Sequence, residues 1–225
     1  MTSIYEQALG PEFRKLHPKI QERFGFGSKD MVASIGEGTM EEIWYARWAR
    51  LPLYIGTLRH IMFPERGLQI PFRIENYAYS DRYGRETVTW CRSFHFPSGI
   101  RRFDATMIYS HERNGIVDYL GNKQHLAVDL EVSVRSNGGI CIRSGEQRFY
   151  EGWLGFRFPA GLTGTADVCE WYDDRSQTYR IRVDVLNPLF GPVFRYRGSF
   201  QARFISTRDS GVPSHVKPLR EEARA

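Results

Sequence analysis

Apolar and polar residues alternate along most of the chain from Leu68 onward, a period-two pattern that predicts half-buried β-strands. Turn-forming residues such as Asn-Gly and Pro-Ser-Gly separate the alternating segments. The predicted strands cover residues 68–79, 86–96, 100–110, 115–120, 126–135, 139–147, 164–173, 178–186 and 192–205. Because the connections are too short for parallel crossovers, the expected fold is a curved antiparallel meander that forms a half-barrel or barrel.

The first 65 residues instead carry apolar residues three or four positions apart, together with helix-start signals. Ser3 is in position to cap a first helix, and Thr39 to cap a later one that follows a strand over residues 31–38. One apolar stripe consists of Phe13, Leu16, Ile20 and Phe24. The predicted class is therefore α+β, mostly β, with N-terminal helices packed against the barrel.

The pattern also predicts how the chain divides. Residues 1–205 are expected to form a single domain, with a helical segment over 1–65 and the barrel-like sheet over 68–205. The last residues, 206–225, are polar and interrupted by glycine and proline, so they are expected to form a flexible tail.

Two charged residues fall on the apolar faces of predicted strands. Side chains alternate across a strand, so Arg92 shares a face with Trp90 and Phe94, and Glu170 shares one with Val168 and Tyr172. A buried charge needs a partner or a cavity. If the sheet wraps, the two residues could face each other across its interior, either as a structural ion pair or as a binding-site pair.

In the second interpretation, Arg92 binds a ligand oxygen and Glu170 moves a proton, which makes both candidate catalytic residues. Five aromatic residues are candidates for the substrate-binding wall: Trp90, Phe94, Tyr109, Tyr172 and Tyr196. A carboxyl group among aromatic rings should have a raised pKa, whereas a neighbouring arginine should lower that pKa, and the sequence leaves the balance open.

Composition narrows the function classes. The chain has 225 residues and a net charge of +5, but its basic residues are interspersed with acidic ones, so nucleic-acid binding is not expected. The spacings of the three cysteines and six histidines match no metal motif, so no metal site and no cofactor are expected, and the cysteines are interpreted as small buried or half-buried strand residues. With no signal peptide and no integral membrane segment in the pattern, the expected location is cytoplasmic.

Several short motifs in order resemble one known family. They are LGPEFRKLHP, GEG, the W-x-R-x-F of residues 90–94, VDYLG, FRFPAGL, ADVCEWY and NPLFGPVFRYRGSF. Together they resemble the domain of unknown function family numbered 4166 over about residues 8–204. Asp118 and Ser199 depart from the pattern, since that family commonly has glutamate and a bulkier residue there. The resemblance supports the barrel and the choice of positions, and it implies no activity.

The function expected from these observations is a barrel that binds a small hydrophobic metabolite. It is expected to be a metal-independent enzyme of cyclase, isomerase or lyase type that performs proton-transfer chemistry. The alternative is a non-catalytic ligand-binding or accessory module. Relatives of the resembled family are fused to saccharopine-dehydrogenase-like domains, which implies a partner oxidoreductase; a homo-oligomer is the other partner considered.

Overall fold

A computed structural model of the chain describes residues 2–159, 161 and 163–225. Over these residues, the helices are α1 (Ile4–Leu9), α2 (Pro18–Phe24) and α3 (Arg50–Thr57). Short 3₁₀ turns cover Gly10–Lys15, Ser28–Asp30 and Arg47–Ala49. The strands are β1 (Val32–Tyr45), β2 (Gly67–Ser80), β3 (Glu86–Phe96), β4 (Gly99–Ser110), β5 (Gly115–Leu120), β6 (Leu126–Val134), β7 (Ile140–Glu151), β8 (Leu154–Arg157), β9 (Thr165–Asp173), β10 (Thr178–Asn187) and β11 (Gly191–Ser206).

The strands close into a ten-stranded antiparallel barrel within the described part of the chain. Each strand from β1 to β7 pairs with the next, β7 also pairs with β9, and β11 returns to pair with β1. The remaining strand, β8, folds back as a hairpin on the last residues of β7. The predicted antiparallel meander is confirmed, and its closure removes the exposed edges that an open sheet would have.

The barrel has two distinct ends, because every antiparallel connection lies at one or the other. One end carries the turns at 81–85, 111–114, 135–139 and 174–177, and we call it the plugged end. The opposite end carries α3, the β8 hairpin and the β10–β11 turn, and we call it the mouth end.

The N-terminal helices occupy the plugged end. The Ser3 hydroxyl accepts a hydrogen bond from the backbone N–H of Glu6, which confirms the predicted cap of α1. From α1, Tyr5 enters the barrel, where its hydroxyl donates to Met107 Sδ at 3.4 Å. From α2, Ile20 and Phe24 are buried in the main core. The helices thereby complete the core at the plugged end, and their predicted packing against the barrel is confirmed. No helix of the described residues is long and apolar enough to cross a membrane.

The helix predicted from Thr39 is wrong, since β1 continues through this region to Tyr45. Local sequence favours a helix there, but β1 is hydrogen-bonded on both sides, to β2 and β11. Two glutamates of this region lie outside the barrel, where Glu41 pairs with Arg180 at 2.8 Å and Glu42 with Arg195 at 3.2 Å. Tertiary pairing overrides helix propensity here.

The C-terminal residues lie along the outer wall of the barrel. Val216 is buried against Tyr77 and Cys91, which both face away from the interior. Arg85 donates to the backbone oxygen of Glu222 at 2.7 Å, and the hydroxyl of Tyr119 donates to that of Arg224 at 2.6 Å. Flexibility of residues 206–225 stays a prediction, and these contacts give the segment a defined place on the wall.

Candidate functional site

A cavity of about 300 Å³ lies inside the barrel beneath α3, and we call it the interior cavity. Most of its wall is apolar, with contributions from α3 and from strands on several sides. It extends to the mouth end, where the half-exposed side chains of Trp48 and Phe190 form part of its lining. Pockets that bind small molecules are typically about 300–1,000 Å³ and mostly apolar with a few polar groups. Size and composition therefore fit a small ligand.

Arg92 of β3 lies in the wall of this cavity and is almost fully buried. Its Nε donates to the backbone oxygen of Phe103 at 3.0 Å, and its Nη1 lies 3.2 Å from the hydroxyl of Tyr196. The guanidinium stacks on the ring of Phe103, 3.8 Å from the ring centre. Within the described residues its Nη2 has no hydrogen-bond acceptor. The arginine is thus held rigidly while it retains a donor for a ligand.

Asp118 of β5 is the second charged residue in the wall, and it is buried on the same inner face as Ile116. Its Oδ1 is buried without a hydrogen-bond partner. Burial raises the pKa of Asp118 from 3.8 to about 7, although the positive charge of Arg92 opposes the shift. A carboxyl group that titrates near neutral pH inside a cavity can either donate or accept a proton.

The raised pKa gives a stability prediction for Asp118→Asn. The folded state holds a proton on Asp118 more tightly than the unfolded chain, so the native protein loses stability as pH rises from about 4 through about 7. At pH 8, removing the ionisable group should stabilise the protein by about 2 kcal/mol, after allowing for the burial of the new amide. Urea unfolding at pH 5 and pH 8 measures this effect. Equal stability changes at both pH values would contradict the assignment.

Glu170 is also fully buried, but its partner is Arg23 of α2. Arg23 Nε donates to Glu170 Oε1, and Arg23 Nη1 donates to the hydroxyl of Ser34 at 2.7 Å. The guanidinium also packs on the ring of Phe200, 4.8 Å from its centre. Burial raises the pKa of Glu170, and the charge of Arg23 opposes the increase. The suggested pairing of Glu170 with Arg92 is therefore wrong: each has other partners.

The predicted substrate-binding residues separate into two groups. Trp90 lines the interior cavity, and the hydroxyl of Tyr196 contacts Arg92. Phe94 is fully buried beside Tyr196, with ring centres 5.2 Å apart, and supports this region from within the core. The other two lie away from the lining.

Tyr109 and Tyr172 both bond to turns at the plugged end. The hydroxyl of Tyr109 donates to Asn114 at 3.0 Å, and that of Tyr172 to Gln177 at 3.3 Å. Tyr172 also stacks on His17 at the N-terminus of α2, with ring centres 5.2 Å apart. These contacts support a structural role at the plugged end for both residues.

Across residues 2–159, 161 and 163–225, no three His, Cys, Asp or Glu side chains form a group that could hold a metal ion. The two charged residues of the cavity, Arg92 and Asp118, are suited to a polar organic group.

Comparisons with known proteins give a family and one close relative. A family model described as "Domain of unknown function (DUF4166)" matches residues 16–200. A protein of Bacillus subtilis (strain 168), "Uncharacterized protein YndH", is similar to this chain, with 35% identity over 202 residues, which is 89% of this chain and 97% of that protein. No solved structure matches.

Proposed function

The chain belongs to the family described as a domain of unknown function, DUF4166, and we propose that its interior cavity binds a small, mostly apolar molecule carrying one oxygen-bearing group. The observation that carries this proposal is the pair of charged residues, Arg92 and Asp118, in a cavity whose wall is mostly apolar. Buried charges of this kind generally contribute little net stability, because the cost of removing them from water offsets their attraction. The presence of both charges is explained if a ligand forms hydrogen bonds with Arg92 Nη2 and Asp118 Oδ1, which lack partners among the described residues.

The ligand's oxygen would lie next to Arg92. The guanidinium is fixed by Phe103 and Tyr196, and its Nη2 is left to donate to a carbonyl or carboxylate oxygen. The apolar body of the ligand would extend along side chains such as Met62, Leu126 and Val185 toward the mouth end. Such a ligand is anchored by one charge-assisted hydrogen bond and held by burial of its hydrocarbon part.

The proposed reaction is a proton shift, with Asp118 taking the role that the sequence assigned to Glu170. Ionised Asp118 would take a proton from the carbon next to a carbonyl whose oxygen is bound to Arg92. The C–H electron pair becomes the double bond of an enolate, and Arg92 stabilises the negative oxygen. Asp118 then returns the proton to a second carbon. The product is an isomer, so the step is balanced without any oxidant or co-reactant.

Binding is tested with two fluorescent probes that differ in one charged group. We expect 8-anilino-1-naphthalenesulfonate and its uncharged analogue N-phenyl-1-naphthylamine both to bind the protein. Arg92→Met should weaken the anionic probe by about tenfold to a hundredfold and the neutral probe much less, because only the anion uses the guanidinium. Fluorescence titration gives both affinities, and circular dichroism verifies that the variant is folded.

A matched pair of tryptophan substitutions locates the probes. Leu126 lines the interior cavity, whereas Leu186 is exposed outside it. Leu126→Trp should fill the cavity and displace both probes, and Leu186→Trp should leave both affinities unchanged. If Leu126→Trp binds the probes as tightly as the wild type, the interior cavity is not their site and the binding proposal fails.

The same cavity also suits a non-catalytic carrier, because its wall is mostly apolar. Proton exchange separates the two functions. An enzyme should speed deuterium incorporation from D₂O next to the carbonyl of a small β,γ-unsaturated ketone, and Asp118→Asn should slow it by about a hundredfold while retaining neutral-probe binding. A carrier gives equal exchange with both proteins. A partner oxidoreductase and a homo-oligomer stay predictions.

A further inference from the structure

The exposed apolar side chains of the protein are concentrated at one end of the barrel. Among the large apolar residues that the described chain exposes, all but Met31, Tyr83 and Leu219 lie at the mouth end. Scattered single residues of this kind are normal on a protein surface, but a contiguous group marks an interaction site. The distribution therefore singles out the mouth end.

Helix α3 and its flanks contribute the largest part of this apolar end. Leu51, Tyr54, Ile55 and Leu58 are each between 59% and 69% exposed. The opposite side of the helix is anchored by the buried Leu53. The helix is therefore apolar on both sides, and its outer side has no partner within the described chain.

Two neighbouring connections extend the surface. Phe190 of the β10–β11 turn contacts Trp48, with ring centres 5.2 Å apart, and Leu189 beside it is 70% exposed. The β8 hairpin presents Trp153, which is 94% exposed, and Leu154. We call α3, the β8 hairpin and the β10–β11 turn together the mouth surface.

The charges on and beside α3 have one sign. Residues 43–64 contain no aspartate or glutamate, while Arg47, Arg50 and Arg59 are all exposed. No carboxylate of the described residues pairs with any of these three arginines. Three free cations beside exposed Trp, Tyr, Leu and Ile side chains are typical of a surface that rests in the headgroup region of a bilayer.

We propose that the mouth surface docks on an anionic phospholipid bilayer. Apolar side chains of α3, the β8 hairpin and the β10–β11 turn enter the headgroup boundary, and Arg47, Arg50 and Arg59 contact lipid phosphates. A second copy of the chain fits less well, because a twofold contact through this surface would bring like charges together. Docking would place the entrance of the interior cavity against lipid, although lipid binding does not depend on the function proposed above.

Vesicle co-sedimentation of the full chain tests this proposal. The protein should bind vesicles made of equal parts phosphatidylcholine and phosphatidylglycerol, and bind vesicles of phosphatidylcholine alone far more weakly. The triple variant Arg47→Gln/Arg50→Gln/Arg59→Gln should bind the anionic vesicles about a hundredfold more weakly. Leu51→Glu should weaken binding at least about tenfold, because it removes an inserted side chain and adds a repelled charge.

Matched controls come from the plugged end, which bears exposed cations and one exposed methionine. Arg14→Gln/Lys29→Gln/Arg175→Gln changes the net charge equally, and Met31→Glu matches Leu51→Glu. Both controls should bind anionic vesicles like the wild type. The proposal is overturned if the wild type does not bind anionic vesicles, or if the plugged-end controls lose as much binding as the mouth-surface variants. It is equally overturned if sedimentation velocity shows a dimer that Leu51→Glu dissociates while lipid binding is unchanged.

Discussion

Replacing Arg23 with methionine is expected to lower the free energy of unfolding at pH 8 by about 4 kcal/mol. Arg23 and Glu170 have no side-chain exposure, and Arg23 provides the hydrogen bond and the positive charge that Glu170 receives. Methionine fills a similar volume but leaves the carboxylate buried without a partner. Urea unfolding followed by circular dichroism measures the loss.

The loss should depend on pH in a defined direction. Burial already raises the pKa of Glu170, and removal of Arg23 takes away the charge that opposes the increase. When a carboxyl group has a higher pKa in the folded protein than in the unfolded chain, the folded protein loses stability as pH rises through the folded-state pKa. The Arg23→Met variant should therefore be closer to the wild type at pH 5 than at pH 8. An equal deficit at both values would mean that lost packing, not the charge, causes it.

The double variant Arg23→Met/Glu170→Met is the matched control. With both charges removed, no unpaired charge remains, and the stability should return to within about 1 kcal/mol of the wild type or exceed it. A double variant as unstable as Arg23→Met alone would refute the ion-pair explanation. If it binds the naphthalene probes like the wild type, then Glu170 has a structural role and Asp118 is left as the carboxyl group of the cavity.

Arg92 and Glu170 stand out in the sequence because each is a charged residue on an apolar face, and two further residues share this property. Asp118 alternates with Ile116 and Leu120 on an inward face, and Arg23 lies at helical spacing between Ile20 and Phe24. A charge on an apolar face was therefore visible at all four positions. The sequence pattern does not show which acid pairs with which base. Partners as far apart as Arg23 and Glu170, separated by 147 residues, are brought together only when the barrel closes.

Strand positions were predicted well for a physical reason. Alternation persists wherever one face of a strand is buried, and nine predicted segments coincide closely with β2–β7 and β9–β11 among the described strands. The region after Thr39 failed because its helix-favouring residues are paired on both sides by distant strands. Tyr109 and Tyr172 were placed on the correct strands, but alternation does not say which end of a barrel a residue occupies.

The sequence interpretation also missed a disulfide. Its spacing argument concerned metal motifs, whereas Cys141 of β7 and Cys169 of β9 lie directly opposite each other and are bonded. This pairing closes the barrel and is short, with registered pairs from Ile140 to Arg143. Between the two strands the chain leaves the barrel wall to form the β8 hairpin. The bond thus crosses a junction at which the two strands share only four registered pairs.

Reducing this disulfide is expected to lower the free energy of unfolding by about 3.5 kcal/mol, since it closes a loop of 28 residues in the unfolded chain. Urea unfolding with and without dithiothreitol measures the effect, best in a Cys91→Ala background that contains no other thiol. The control is Cys141→Ala/Cys169→Ala in that background. It should unfold like the reduced protein, and dithiothreitol should not change its stability.

Thiol titration of the denatured wild-type protein tests whether the bond forms. We expect one free thiol per chain without reductant and three after reduction. Three in both conditions would contradict the disulfide. Exchange with Cys91, the free cysteine of the folded protein, does not change the count, because each thiol–disulfide exchange releases one thiol for every thiol that it consumes. The same titration bears on the cellular location, which stays a prediction. Disulfides persist in oxidising compartments. A cytoplasmic protein should therefore be recovered from cells with Cys141 and Cys169 reduced and with the stability of the reduced form.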